Sequence, residues 1–198
     1  NHTDVLKHLA LVCCLDRLKA KDAPFAVLDT HAGRGRYDLE SEEARRSPEW
    51  QNGVGKLKDW ADAPAPVRSY LEAIARAAPF YPGSPLLTAQ ALRPQDRLIA
   101  CELHPEEYVA LKRIDFGQAH AEIHQRDGFA ALTALLPPRE KRGLVLIDPP
   151  YEATDETLQS VRALQGALHR FRNGIYLWWR PLKGESALNR ADAELNAS

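Results

Sequence analysis

The segment that most constrains the fold of this chain is Gly143–Tyr151, with the sequence GLVLIDPPY. Its apolar run, Leu144–Ile147, is too short for a buried helix and contains the branched residues typical of a central parallel strand. Neither of the two prolines that follow can donate to a strand ladder, so we expect pairing to stop and the chain to leave the sheet there. Ligands bind at this carboxyl edge in open α/β sheets. The segment therefore predicts a site that includes Asp148 and Tyr151.

The Asp-Pro-Pro-Tyr tetrapeptide resembles the signature of amino-group methyltransferases that modify adenine N6 with S-adenosylmethionine (SAM). An exocyclic purine amine is a poor nucleophile because its lone pair is delocalised into the ring. The carboxylate of Asp148 and the carbonyl of Pro149 would accept its hydrogens and stabilise the positive charge that develops on nitrogen. The Tyr151 ring would stack on the base, which must leave any duplex stack to be reached. The plainer alternative is a turn that closes a strand, with Tyr151 packed on the surface.

An earlier strand and loop carry a second signal. Phe25–Leu28 is predicted to be a short buried strand, and Asp29–Gly35, with the sequence DTHAGRG, follows it. An acid and then Gly-x-Gly opening a helix is typical of a nucleotide-binding turn, in which Gly33 lets the ligand approach closely. His31 lies in the same loop and is a weaker candidate. The third position of the dinucleotide pattern is Asp38, and this residue argues against NAD.

Acidic residues also follow the next two predicted strands. Arg97–Cys101 precedes Glu102, whose carboxylate could accept both ribose hydroxyls of a nucleoside. Glu122–His124 precedes Asp127 and Gly128, which could read an adenine amine and admit its ring. Each acid taken singly could be an ordinary turn residue. Their recurrence after three successive strands is the stronger observation.

The chain begins with a predicted helix over Thr3–Lys19, whose apolar centre indicates deep burial. Lys7 and His8 lie near its start and could face a ligand. The alternative is that His8 forms an ordinary surface pair with Asp4, four residues earlier. The residues alone favour that pair.

The segment between the first two strands is longer than a simple βαβ unit of about thirty residues allows. We therefore predict a small helical insertion over about residues 40–84, with Trp50 and Trp60 as anchors of its core. At its end, Ser84 is expected to cap a helix that runs to Leu92. The free N–H groups of that helix start could receive an anionic group, such as the carboxylate of SAM, or the cap could be purely structural.

Further helices are predicted over Glu106–Phe116 and Thr157–Phe171, a fifth strand over Gly174–Trp179, and a helix in the tail after it. The alternation of strands and helices predicts an α/β fold, a doubly wound and mostly parallel sheet. We expect one Rossmann-like domain over residues 1–198, incomplete at both ends. The chain has no methionine, and two closing strands expected of such a fold are not evident.

Composition limits the remaining possibilities. No apolar run approaches the about eighteen residues of a membrane helix, so we expect a soluble protein without a membrane partner. The net charge is −1, so any contact with nucleic acid must be local. Three cysteines without zinc spacing predict reduced core thiols and a cytoplasmic location. The acids are spread over strand ends rather than clustered, so we expect no metal.

Taken together, these segments resemble the RlmJ family, bacterial methyltransferases that make N6-methyladenine in large-subunit ribosomal RNA. The matching segments are Asn1–His8, Asp29–Tyr37, Tyr81–Pro85, Glu102–Pro105, Asp127–Phe129 and Asp148–Tyr151. The resemblance implies SAM contacts from Lys7, His8, His31, Ser84, Glu102, Asp127 and Gly128, which join Gly33 and Asp148 in the predicted cofactor site. It implies Asp148 as the catalytic acceptor and overrides the surface pair of His8. A leading segment of the family, with a tyrosine thought to hold the substrate adenine, is absent before Asn1.

Three alternatives remain beside this interpretation. A DNA adenine-N6 methyltransferase would share the motif and mechanism, whereas a nicotinamide-dependent oxidoreductase would share only the sheet. A non-catalytic RNA-binding module would not need the full set of strand-end acids.

We expect a monomer that binds ribosomal RNA through a local basic rim. We expect the basic residues before the central strand to be solvated charges at the opposite edge of the sheet. The rim would comprise Arg34, Arg36, Arg45, Arg46, Arg180 and Lys183, and the solvated group Arg139, Lys141 and Arg142.

Overall fold

The computed structural model describes residues 2–41, 54–57, 60–151, 156–180 and 193. Its main feature is a sheet of five parallel strands in the order β5-β4-β1-β6-β7, with a separate antiparallel pair, β2 and β3. The strands are β1 Ala26–Asp29, β2 Arg36–Asp38, β3 Phe80–Pro82, β4 Arg97–Glu102, β5 His120–Gln125, β6 Gly143–Ile147 and β7 Ile175–Trp178. This architecture confirms the predicted α/β fold with a doubly wound parallel sheet.

The order of the strands locates the crevice. From β1 the chain builds β4 and β5 on one side and then returns to build β6 and β7 on the other side. The topological switch point therefore lies between β1 and β6, where Leu28 is in register with Val145. Asp29 ends β1 and Asp148 follows β6, so two carboxylates flank the switch point.

Helices cover both faces of the sheet. Alternate residues of β6 divide between two buried clusters, with Leu144 and Leu146 in one and Val145 and Ile147 in the other. The first cluster packs against α1, and the second packs against α5 and α6. The helices are α1 His2–Lys19, α2 Ala65–Ala77, α3 Ser84–Ala91, α4 Pro105–Lys112, α5 Gly128–Ala134 and α6 Glu156–Arg170, with a 3₁₀ turn at Val54–Leu57.

The glycine loop differs from its prediction, because it leads into β2 rather than into a helix. Gly33 and Gly35 have φ values of 59° and 76°, which turn the chain into β2, and β2 pairs antiparallel with the distant strand β3. The N–H of Gly83 then donates to the carbonyl of Gly35 at 2.8 Å, which joins this loop to the start of α3. The helix that begins beside the loop is therefore supplied by a later segment of the chain.

Several smaller expectations were wrong. Trp60 is 49% exposed and is no core anchor, whereas Tyr70 of α2 is 0% exposed and lies in the core. Cys13 is exposed on the outer side of α1, whereas Cys101 is buried as expected. Gly83, not Ser84, is the N-cap of α3.

Arg142 lies at the amino edge as expected, but it is not a solvated charge. Its guanidinium donates to the carbonyls of Ala23 and Leu18, the latter at 2.9 Å. The expectations for Trp50, Arg45, Arg46, Lys183 and the tail helix fall outside the described residues.

Candidate active site

The carboxylate after the central strand is held by a lysine from the first helix. Lys7 Nζ donates to Asp148 Oδ2 and, at 3.2 Å, to Asp4 Oδ1. Burial raises the pKa of Asp148, and the neighbouring Lys7 charge opposes that rise. Burial by itself would lower the pKa of Lys7, but the charge of Asp148 and its hydrogen bond outweigh burial and raise it. The two groups are therefore a formed ion pair, in which Asp148 Oδ1 makes no hydrogen bond to the described part of the chain.

Asp29 is a second carboxylate at the switch point, and the whole residue is 0% exposed. Neither oxygen makes a hydrogen bond of normal geometry to a described residue. Burial raises its pKa to about 7, although Ser84 and the backbone of His31 lie close enough to counteract part of that rise. A buried carboxylate whose nearest donors, Ser84 and the His31 backbone, make no hydrogen bond of normal geometry is costly unless a ligand supplies a better one. Asp29 thus marks a place for a cationic or hydrogen-bonding group.

Glu102 connects the glycine loop to the helix that follows β4. Its Oε2 accepts from the backbone N–H of Gly33 at 2.8 Å, and its Oε1 accepts from the N–H of His104 at 2.7 Å. Each oxygen retains a second lone pair, so the carboxylate can also accept from two neighbouring hydroxyls. This arrangement is compatible with the predicted ribose contact.

His31 has a defined tautomer. The single hydroxyl proton of Thr30 goes to the carbonyl of Leu146 at 2.9 Å, and Thr30 Oγ1 also lies 2.8 Å from His31 Nδ1. His31 Nδ1 must therefore carry the proton and donate, which leaves Nε2 as an acceptor. Burial lowers the pKa of His31 to about 4, so the ring is neutral at pH 7. Its edge contacts the Phe129 ring, with centroids 5.1 Å apart.

Asp127 and Gly128 position the start of α5 against this loop. Asp127 Oδ1 accepts from the N–H groups of Phe129 and Ala130 at 2.7 and 3.0 Å, as an N-cap does. A Cβ at Gly128 would lie 2.2 Å from the carbonyl oxygen of Thr30. The glycine is therefore required by close approach of two backbones, whereas the sequence analysis attributed it to a ligand ring.

His8 belongs to a buried chain of polar rings. It is 3% exposed, and its Nδ1 lies 3.0 Å from the hydroxyl of Tyr81, which lies 2.8 Å from the hydroxyl of Tyr70. Burial lowers the pKa of His8 to about 3. The surface pair with Asp4 that the residues alone favoured does not form, because His8 is buried and contacts Tyr81, as the overriding of that pair by the resemblance allowed.

Tyr151 has a left-handed backbone, with φ at 56°. Its hydroxyl donates to the carbonyl of Trp179 at 2.5 Å and accepts from Trp178 Nε1 at 2.8 Å. Pro149 is buried before it. The tyrosine ring is therefore held in place by the end of β7.

The structure gathers the predicted residues at the carboxyl edge in two linked groups. One group surrounds Asp148 and Asp29, and the other surrounds Glu102 and His31. Sequence reasoning assigned no site role to Asp29, Thr30 or Tyr81, although Asp29 was matched as the acid of the glycine-loop pattern. Among the described residues, no cluster of three or more His, Cys, Asp or Glu side chains is arranged to hold a metal ion. In the same residues, no helix has the length and apolar character needed to cross a membrane.

A parallel sheet of this topology, with helices on both faces and acids at its carboxyl edge, is a Rossmann-like α/β fold, which Rossmann-like methyltransferases share. Residues 22–198 match the family model described as ribosomal RNA large subunit methyltransferase D, RlmJ. The chain therefore belongs to the RlmJ family of ribosomal RNA methyltransferases.

Individual relatives agree with this assignment. The chain is similar to ribosomal RNA large subunit methyltransferase J of Haemophilus influenzae, with 41% identity over 92% of this chain and 67% of that protein. For the protein of that name from Escherichia coli, identity is 39% over 100% of this chain and 72% of the relative. A crystal structure from Legionella pneumophila, titled as a member of family DUF519, matches with TM-score 0.93 and 35% identity. That match covers 100% of this chain and 74% of the other.

Proposed function

We propose that this protein transfers a methyl group from SAM to the exocyclic N6 amine of an adenine in large-subunit ribosomal RNA. The observation that carries the proposal is the placement of Asp148 directly after the buried strand β6, with Pro149 behind it and Asp29 across the switch point. Membership of the family supports methyl transfer to ribosomal RNA. The choice of donor and of acceptor atom rests on the chemistry of the site residues.

The cofactor part of the site fits a ligand with both cationic and hydroxyl groups. Asp29 offers an unpartnered carboxylate for an ammonium or sulfonium charge. Glu102 retains lone pairs for ribose hydroxyls. Lys7 gives N–H groups to Asp148 and Asp4, and its third N–H can donate to the carboxylate of SAM. When bound, SAM supplies an electrophilic methyl group on sulfur. We propose Lys7, His8, His31, Gly33, Ser84, Glu102, Asp127, Gly128 and Asp148 as the residues that surround it.

The catalytic part acts on the nucleophile. Asp148 Oδ1 and the Pro149 carbonyl would accept the two amine hydrogens, which localises the nitrogen lone pair. They would also stabilise the positive charge that appears on nitrogen as its bond to the methyl carbon forms and the methyl–sulfur bond breaks, after which the nitrogen releases one proton to solvent. The ion pair with Lys7 occupies Oδ2 and keeps the carboxylate in its accepting, ionised form. Tyr151, fixed by Trp178 and Trp179, would stack on the adenine.

The test is methylation of deproteinised large-subunit ribosomal RNA with SAM labelled in its methyl group, followed by digestion and identification of the modified nucleoside. We expect N6-methyladenosine, and we expect Asp148→Asn to lose it while retaining SAM binding. The exposed acid Asp115 provides the matched control, Asp115→Asn. Methyl transfer to another base, or full activity of Asp148→Asn, would refute the proposal.

A further inference from the structure

A small arginine-lined cleft lies beside the proposed cofactor site. Its volume is about 280 Å³, and it is formed by the β2–β3 pair on one side and the end of α4 on the other. The lining residues are Arg34, Arg36, Asp38, Phe80, Ala110 and Arg113. Three guanidinium groups therefore share the cleft with one carboxylate, although the chain as a whole has a net charge of −1.

Internal contacts hold two of the arginines in defined positions. The guanidinium of Arg36 lies over the ring of Phe80, with its carbon 4.6 Å from the ring centroid. Arg34 donates to Glu107 through Nε and Nη2, the latter at 2.7 Å. A guanidinium fixed in this way loses less side-chain entropy when it binds a further group.

The positive charge is only partly neutralised by the protein. Asp38 Oδ1 accepts from the backbone N–H of Glu40 at 2.8 Å. Arg36 and Arg113 are exposed, and neither forms an ion pair within the described ranges. Placing such cations close together costs electrostatic energy, which a bound anion would offset. Planar guanidinium groups match phosphate oxygens through paired N–H donors.

The cleft also shares a loop with the site. Arg34 follows Gly33, whose N–H donates to Glu102. Glu107, the partner of Arg34, lies in the first turn of α4, directly after the strand that ends in Glu102. The loop that carries Gly33 and Arg34 therefore borders both the site and the cleft.

We propose that this cleft binds phosphodiester groups of the substrate RNA strand on the flank of the target adenine. The inference rests on the proposed function, because it assumes that an RNA strand reaches this edge of the sheet. Arg36 and Arg113 would provide the phosphate contacts. Arg34, which is held by Glu107, would lie beside them. Because the net charge of the chain is −1, the protein as a whole does not attract RNA, so phosphate contacts must come from a local group of cations.

The experiment compares two double variants of equal charge change. Arg36→Gln with Arg113→Gln removes two of the three cleft cations and leaves Arg34. Arg17→Gln with Lys21→Gln removes two exposed cations at the C-terminal end of α1, near the amino edge, where Leu18 and Ala23 accept from Arg142. Binding of a short single-stranded RNA is measured by fluorescence anisotropy at several salt concentrations, and methylation of ribosomal RNA is measured in parallel.

We expect the negative slope of log affinity against log salt to become shallower by about 1.4 in the cleft variant, which corresponds to two lost contacts with single-stranded phosphate at about 0.7 each. The KM for RNA should rise roughly tenfold, with kcat and SAM affinity retained, because the cleft does not touch the reacting atoms. The control pair should match the wild-type protein. Equal behaviour of the two double variants would overturn the proposal.

Two further measurements test whether the cleft binds a small phosphate ligand instead of RNA. Calorimetry with inorganic phosphate and with adenosine monophosphate, at matched ionic strength, should give no saturable binding that depends on Arg36 and Arg113. Saturable binding of either would assign the cleft to a small phosphate ligand and overturn the RNA inference. Failure of the wild-type protein to methylate RNA would refute the proposed function, whereas the RNA-binding comparison tests the cleft independently.

Discussion

Lys7 and Asp148 form an ion pair across 141 positions of the chain, with the lysine donating from the first turns of α1 to the carboxylate behind β6. Their side chains are 11% and 21% exposed, so the pair is largely screened from water. The lysine thereby fixes which oxygen of Asp148 remains available to a substrate. The same contact ties the start of α1 to the carboxyl edge of the sheet.

This pair should show strong energetic coupling. Removal of one partner leaves the other charge buried, whereas removal of both leaves none. We expect Lys7→Met and Asp148→Asn each to lower the free energy of unfolding, and the double variant to lose less than their sum. The coupling energy should be about 1–3 kcal/mol in a double-mutant cycle from urea denaturation. Simple additivity would show that the pair contributes nothing to the fold.

The separation of binding from catalysis is a second prediction. Asp148→Asn should lower kcat by about 100-fold or more, because the carboxylate interacts with the amine most strongly as positive charge develops. SAM affinity, measured by calorimetry, should change little. A large loss of SAM affinity with kcat intact would move Asp148 from catalysis to cofactor binding.

Glu102 provides a third prediction. Glu102→Gln keeps one acceptor oxygen but replaces the other with a donor that faces the N–H of Gly33 or His104. We expect SAM binding to weaken by about 1–3 kcal/mol, with kcat at saturating SAM less affected. Glu106→Gln, an exposed acid in the first turn of α4, is the matched control. Equal SAM affinity in both variants would remove Glu102 from the cofactor site.

Two substitutions of Tyr151 test whether methyl transfer requires its ring or its hydroxyl. Tyr151→Phe keeps the stacking surface but loses the bonds to Trp178 and the Trp179 carbonyl. We expect unfolding free energy to fall by about 1–3 kcal/mol and substantial activity to remain. Tyr151→Ala should also lose most methyl transfer, as measured by initial rates. If Phe and Ala variants are equally inactive, the hydroxyl rather than the ring is the functional group.

The raised pKa of Asp29 predicts that the free energy of unfolding depends on pH. Its folded pKa of about 7 lies above the ordinary value of 3.8, so the folded state binds more protons than the unfolded state between these values. The contribution of this group is therefore fully present below about pH 4 and is lost as pH rises towards 7. In Asp29→Asn this loss should be absent, so its stability relative to wild type should improve between pH 4 and 7. Denaturant titrations across that range measure the difference, and a constant difference would contradict the assigned pKa shift.

The sequence by itself determined the five strands of the main sheet, their polar ends and the family. Leu144–Ile147 had to be a buried strand because its length and branched residues leave no other compact option, and the prolines after it had to end pairing. Parallel strands bring their carboxyl ends to one edge, so Glu102, Asp127 and Asp148 could be placed there without coordinates. These are consequences of local chemistry and of one general rule of sheet geometry.

Only the tertiary structure decided which side chains contact one another at that edge. The bond of Lys7 to Asp148 and the chain from His8 to Tyr81 join segments that are far apart in sequence. The entry of the glycine loop into β2 depended on pairing with β3, which local propensity does not specify. Trp60 is exposed, and Tyr70 is an aromatic residue buried in the core. Such contacts depend on how helices and strands pack together, and packing is a property of the whole fold rather than of any one segment.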